Sequence, residues 1–193
     1  MRCSAQSPNL LATGGKENPL KIWDLTSQEP SKPIFTSKNI KNDWLELRVP
    51  VSESDFRFLE NNDLVATCTA NHFIRLYDMS SNCRRPVVQI KWSDHPFTTM
   101  CLTFNERQVI VGSSRGFMGL FDLRAPGKLI HAFKGFAGSI SAVEAHPTEP
   151  YVAGCGLDRF VLVHNVKTKK LLHKIYCKAH LNALLLKEDL SIL

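Results

Sequence analysis

Four times along this chain a short apolar run leads through small residues into an alternating segment that ends in an aromatic residue and Asp, or a close substitute. Leu10-Leu11-Ala12-Thr13-Gly14-Gly15 leads to Leu20-Lys21-Ile22-Trp23-Asp24, and Leu64-Val65-Ala66-Thr67 leads to Ile74-Arg75-Leu76-Tyr77-Asp78. Val109-Ile110-Val111-Gly112 leads to Met118-Gly119-Leu120-Phe121-Asp122, and Tyr151-Val152-Ala153-Gly154 leads to Phe160-Val161-Leu162-Val163-His164-Asn165. Alternation at period two, punctuated by Gly, Asn and Asp, predicts short strands joined by tight turns. The anchors fall at Trp23, Tyr77 and Phe121, with His164 in register.

The last two steps between anchors match the period of about 40–45 residues of a WD40 propeller blade, and the first is longer by an insertion. The predicted fold is therefore all-β: a WD40 β-propeller of about four blades plus one further strand. The blade repeats are expected at about 1–36, 51–92, 98–134 and 138–176 within a single domain spanning 1–193, with the strand of a further blade at 181–187. Each blade should hold four antiparallel strands. In the second repeat these are expected at 51–59, 64–69, 73–78 and 87–92, and in the third at 98–104, 108–113, 117–122 and 128–133. In the fourth they are expected at 139–145, 150–155, 160–166 and 170–176, while residues 2–5 read as a fragment of the first inner strand.

The third strand of each blade has one face within the blade and the other on its neighbour, so both faces want bulk. Trp23, Tyr77, Phe121 and Val163 are expected in the core, and Asp24, Asp78, Asp122 and Asp158 are expected at structural turns. Blades of this type often bury a polar tetrad, with His from a Gly-His pair, a turn Asp, a Ser or Thr, and Trp. Here Phe136 stands in the His place and only Asp158 holds the turn-Asp place, which predicts blades stabilised mostly by apolar packing.

One segment breaks the period. Residues 28–35 form a Pro-punctuated loop, and residues 36–50 lengthen the connection to the next inner strand. Extra length at a blade connection maps to one face, often the binding face. The candidate partner-binding residues are Lys38, Lys41, Asn42, Asp43, Trp44 and Arg48. Trp44 reads either as the centre of an exposed recognition cluster or as a side chain tucked over a blade end.

Charge changes the picture at one place. The net charge is +6, but no Asp or Glu occurs from 159 to 187, and that segment alone supplies +7. Arg159, Lys167, Lys169, Lys170, Lys174 and Lys178 form a candidate basic patch for RNA or an acidic protein surface. The plainer reading is a solvated outer strand, since only Tyr176 interleaves an aromatic ring with these charges.

No enzymatic chemistry is legible. The six cysteines are scattered without a C-x-x-C pair, which reads as reduced thiols, and the seven histidines form no zinc-binding spacing. Phosphate-loop and nucleophile-elbow motifs are absent, and Gly14-Gly15-Lys16 reads as a hairpin turn. His164 is expected in the core. Cys177 and His180 lie on a strand connection that offers no helix N-terminus to lower the thiol pKa. No catalytic, metal or cofactor site is expected, and neither a signal peptide nor an apolar stretch of membrane-spanning length is read.

Two runs carry a more specific resemblance: Ser7-Pro8-Asn9-Leu10-Leu11-Ala12-Thr13-Gly14-Gly15-Lys16-Glu17-Asn18 and Lys41-Asn42-Asp43-Trp44-Leu45-Glu46-Leu47-Arg48-Val49-Pro50. With residues 135–139, the turn Cys155-Gly156-Leu157-Asp158-Arg159 and residues 181–186, the chain resembles the WD repeat-containing protein 74 family. The resemblance implies the later blades of a seven-bladed propeller, hence a partial and open form. It also implies a non-catalytic scaffold in nucleolus and nucleus, acting in large (60S) subunit biogenesis and pre-rRNA processing. The implied partners are pre-60S particle proteins, pre-rRNA and an AAA-type ATPase, with no membrane and no small-molecule substrate. The tail at 187–193 departs from the family's long Lys-rich carboxyl terminus. The rival readings are a WD40 interaction module of another nuclear complex and a truncated form without function.

Overall fold

The computed structural model describes residues 1–187 apart from Gln28, Asp43, Glu60, Asn61, Asn82, Ser93, Glu106, Ala125 and Pro126. All regular structure among them is β. Sixteen strands form four antiparallel sheets, each of four consecutive strands. The chain divides into two compact units, Met1–Pro96 and Phe97–Leu193, with two sheets each.

In the first unit, β1 (Arg2–Cys3), β2 (Leu10–Gly15), β3 (Asn18–Asp24) and β4 (Phe35–Thr36) make one sheet. The other holds β5 (Glu53–Phe58), β6 (Leu64–Thr69), β7 (Phe73–Asp78) and β8 (Val88–Lys91). The second unit holds β9 (Phe97–Leu102), β10 (Gln108–Ser113), β11 (Met118–Asp122) and β12 (Lys128–Phe133) in one sheet. Its other sheet is β13 (Ile140–Ala145), β14 (Tyr151–Gly156), β15 (Phe160–Asn165) and β16 (Leu171–Tyr176).

The second strand of three sheets, β6, β10 and β14, is buried at every position but its first. That is the burial expected of a near-continuous apolar run lying between covered faces. In the first unit Ala12, Leu20, Ile22, Phe35, Phe56, Phe58, Val65 and Tyr77 pack together. In the second, Ile110, Met118, Leu120, Phe133, Ile140, Val143 and Val152 form the core. Phe136 takes the space above Gly154, where an added Cβ would lie 2.6 Å from its ring.

The Asp of each aromatic-Asp anchor has a local task. Asp24 Oδ1 accepts the Thr26 N–H at 2.8 Å, Asp78 Oδ1 the Ser80 N–H at 2.9 Å, and Asp122 Oδ1 the Arg124 N–H at 2.9 Å. Asn165 repeats this with the N–H groups of Lys167 and Thr168, both at 2.9 Å. These are Asx turns that start the connection to the outer strand. Hydrogen bonds to the charged form hold the Asp24 and Asp78 carboxyls below the ordinary carboxylate range. Asp158 accepts from Phe160 N at 3.1 Å and Ala137 N at 3.3 Å, tying its hairpin to the segment before β13. The hairpins between second and third strands each contain one residue in the left-handed region: Glu17, His72, Gly116 and Arg159. Only one of the four is glycine, the residue that adopts φ > 0 without penalty.

Three expectations need correction. Tyr77 and Phe121 are buried, but Trp23 and Val163 are only half-buried. β3 buries Leu20 and Ile22, β15 buries Leu162 and His164, and the alternation leaves Trp23 and Val163 on the other face. The Trp23 indole N–H donates to Thr13 Oγ1 at 2.8 Å instead. Residues 181–187 form no strand: the Leu181 N–H meets the Gly156 carbonyl oxygen at 3.4 Å, but no ladder continues from there among the described residues, and Leu185 is 92% exposed. Finally, the second sheet does not bury apolar side chains alone. Glu53 on β5 and Arg75 on β7 form a buried ion pair, Nη1 to Oε1 at 3.6 Å, with side chains 1% and 2% exposed. Thr67 lies across the ladder from Arg75. Burial pushes the Glu53 carboxyl up, with Arg75 opposing that shift.

The second unit has a buried titrating side chain of its own. The His164 Nε2–H donates to the Lys134 carbonyl oxygen at 3.1 Å, and the ring lies 5.1 Å from that of Phe133. Burial lowers its pKa, the carbonyl bond opposes the shift, and His131 adds to it. His131, its ring 5.0 Å from that of Phe133, is lowered by burial and then by Lys169 and Lys134. A depressed histidine pKa means that the unfolded chain takes up the proton first. His164 therefore contributes stability above about pH 6.5 that is lost as pH falls through its folded value. Replacing His164 with Phe should flatten the fall in melting temperature between pH 7.5 and 5.5. An unchanged pH slope in the variant would contradict this assignment.

Candidate interaction surface

The insertion between β4 and β5 becomes a clasped loop. Its entry is fixed by the Ser37 N–H on Leu20 O and the Lys38 N–H on Arg84 O, both at 2.9 Å. Asn39 Nδ2 donates to Val49 O at 2.7 Å, which closes the loop on itself in the manner of an Ω-loop. Its exit is pinned to two hairpins. Val51 O accepts the Glu17 N–H, Ser52 O accepts the Ala70 N–H, and Pro50 O accepts from Asn71 Nδ2 at 2.7 Å. The base is thus held by the β2–β3 and β6–β7 turns, while the tip projects.

The tip carries Trp44, 88% exposed, with Leu45 and Leu47 at 55% and 59%. Of the two readings of Trp44, the structure has the exposed one. Arg48 Nη2 lies 3.5 Å from Glu17 Oε2, so the guanidinium is steadied beside the indole's loop while both side chains stay exposed. Lys38, Lys41 and Asn42 are exposed on the same loop, and Asp43 lies outside the described residues. A rigid base with a bare tryptophan and an oriented arginine is the composition of an interface hot spot.

The basic patch lies in the second unit. Arg159, Lys167, Lys169, Lys170, Lys174 and Lys178 are all exposed, and they run from the β15–β16 turn along β16 to its far end. Sequence order hid its aromatic partners. Lys174 Nζ sits 4.3 Å from the centre of the Phe160 ring, and Lys167 Nζ sits 5.3 Å from that of Phe104. Pairing of β16 with β15 makes the first contact and packing between the two sheets of the unit makes the second, so the count of one interleaved aromatic is corrected upward.

Among the described residues no three His, Cys, Asp or Glu side chains come together as a metal site, and no helix is long and apolar enough to cross a membrane. Cys177 and His180 do not form a pair: the His180 Nδ1–H is engaged with the Leu157 carbonyl oxygen at 2.8 Å.

The family model described as WD domain, G-beta repeat matches residues 127–165. That span starts on β12, the outer strand of one sheet, and runs through β13, β14 and β15 of the next. Residues 127–165 form a WD40 repeat. The chain is 45% identical to "WD repeat-containing protein 74" of Homo sapiens and 44% identical to that of Bos taurus, over 187 residues in each case. The aligned part is 96% of this chain and 48% of each relative. "Ribosome biogenesis protein NSA1" of Saccharomyces cerevisiae is 28% identical over 217 aligned positions, covering 95% of this chain and 46% of the relative. The chain therefore spans about half the length of these relatives.

Proposed function

We propose that this chain is a non-catalytic scaffold of large-subunit ribosome biogenesis, working in the nucleus and nucleolus. In this reading the loop at 37–52 docks on a protein of the pre-60S particle. The carrying observation is Trp44, held bare at the tip of a loop whose base is pinned by two hairpins. The names of the relatives, WD repeat and ribosome biogenesis proteins, support the setting. Blade sheets joined by short turns suit rigid presentation of such a loop more than chemistry.

The test is co-sedimentation with pre-60S particles from nuclear extract. Truncating a central interface Trp costs at least about 2 kcal/mol, or ~30-fold in affinity. The double variant Trp44→Ala with Arg48→Ala should leave the gradient fractions while keeping its melting temperature, because both side chains are exposed. Binding of the unsubstituted chain should change little with salt, unlike a phosphate contact. Normal co-sedimentation of the double variant, or none by the parent chain, would refute the proposal.

A further inference from the structure

The outer strand β16 is unlike the other outer strands. Every residue from Leu171 to Tyr176 is exposed, whereas β8 buries Val88 and Ile90 and β12 buries Phe133. It is the last strand of its sheet, and among the described residues nothing pairs with its open side. The Cys177 N–H points inward to Arg159 O at 2.8 Å. In an antiparallel ladder the direction alternates, so the N–H and C=O groups of Tyr176 and Lys174 face outward. A register irregularity lies at the other end, opposite Val163 and His164.

The side chains on the two faces differ. On one, Lys174 lies over the Phe160 ring, and Tyr176 packs beside that ring at 5.1 Å. On the other, His173 and Ile175 lie beside Val163 and Val161, with Ile175 53% exposed. Lys167, Lys169 and Lys170 flank one end of the strand and Arg159 and Lys178 the other, without an acidic residue from 159 to 187. An edge of unpaired backbone groups is a template for another strand. Lysines on it repel a second copy of the same edge and attract an acidic one.

We infer that β16 accepts an extended acidic segment of a partner protein as a fifth strand, with Asp or Glu on the Lys174 face and β-branched residues on the Ile175 face. This is β-augmentation: main-chain hydrogen bonds supply affinity, and alternate side chains supply selection. The surface is independent of the loop at 37–52, so it stands or falls apart from the proposed function. Single-stranded RNA would use the same charges, but it would not need the outward N–H and C=O groups of Lys174 and Tyr176.

The probe is a fluorescein-labelled ten-residue peptide alternating Glu with Val, titrated by anisotropy against the whole chain. The controls are the same composition in two blocks, a 20-nucleotide oligouridine, and two peptides N-methylated on alternate residues in opposite phase. One phase blocks the peptide edge that meets β16, and the other leaves it free. Saturable binding of the parent peptide is expected, with at least tenfold loss in one methylated phase, little loss in the other, and at least tenfold loss in the block peptide. The variant Lys170→Glu with Lys174→Glu should lose tenfold or more, and hydrogen exchange at the Lys174 and Tyr176 amides should slow on binding. No binding at 200 µM peptide, equal binding of both methylated phases and the parent, or displacement by oligouridine at lower concentration than by unlabelled peptide would each overturn the inference.

Discussion

Arg75→Met is expected to destabilise the first unit by about 3–5 kcal/mol, because it leaves the Glu53 carboxylate buried without its counter-charge. The two side chains are almost wholly withdrawn from water, and among the described residues Glu53 Oε2 has no hydrogen-bond partner to compensate. Removing the whole pair should cost far less. Replacement of a buried ion pair by apolar residues of similar volume is often neutral or stabilising, so Glu53→Leu with Arg75→Met should recover most of the loss. Urea denaturation of the two single variants and the double one forms the cycle. The pH dependence has a fixed sign. Burial raises the Glu53 pKa, so the folded chain holds this proton where the unfolded chain has released it. The contribution is fully present below the unfolded carboxyl value, about 4.3, and is lost as pH rises through the folded value. Arg75→Met removes the opposing charge, so that variant should regain stability as pH falls from 7 toward 5. Additive losses in the double variant would show that the two groups do not act as a pair.

Phe121→Ala is expected to cost about 3–5 kcal/mol in the second unit, the range for a fully buried aromatic cut to Ala. The ring is 0% exposed and fills the space above Gly119, where an added Cβ would lie 2.8 Å from it. In a unit of about 100 residues, ~4–8 °C is lost per kcal/mol, so the calorimetric transition should fall by more than 10 °C. The aligned Trp23→Ala should fall by less than half as much, since the indole is half in water and loses mainly its bond to Thr13. Equal shifts for the two would mean that burial does not govern this position.

These two side chains mark what could be read from the chain. Strands such as β6, β7, β10 and β12 fall on the residues that alternation and turn chemistry predict. Phe121 and Tyr77 were legible because a shared register implies a shared environment. Trp23 has that register but not that environment, since cover on the second face comes from tertiary packing. Glu53 and Arg75 were illegible for the opposite reason. A charge in an alternating strand reads as solvent-facing, and only pairing across β5, β6 and β7 brings them together inside. The left-handed positions at Glu17, His72 and Arg159 are not themselves glycine, so the turns could be read from Gly15 and Gly156 in two cases but the residue that adopts φ > 0 could not. In the candidate surface, the length of the insertion and its Trp44 pointed to one face. The Asn39–Val49 clasp and the Arg48–Glu17 pair came from folding.

The central claim is that the loop at 37–52 is the face turned to the pre-60S particle. Amine-reactive cross-linking of the bound chain, read by mass spectrometry, tests it most directly. Lys38 and Lys41 sit exposed on that loop, far in sequence from the basic segment. These two lysines are expected to link to one particle protein, and those links to disappear with Trp44→Ala and Arg48→Ala. Particle links confined to Lys167, Lys169, Lys170, Lys174 and Lys178, with Lys38 and Lys41 modified only by hydrolysed reagent, would contradict it.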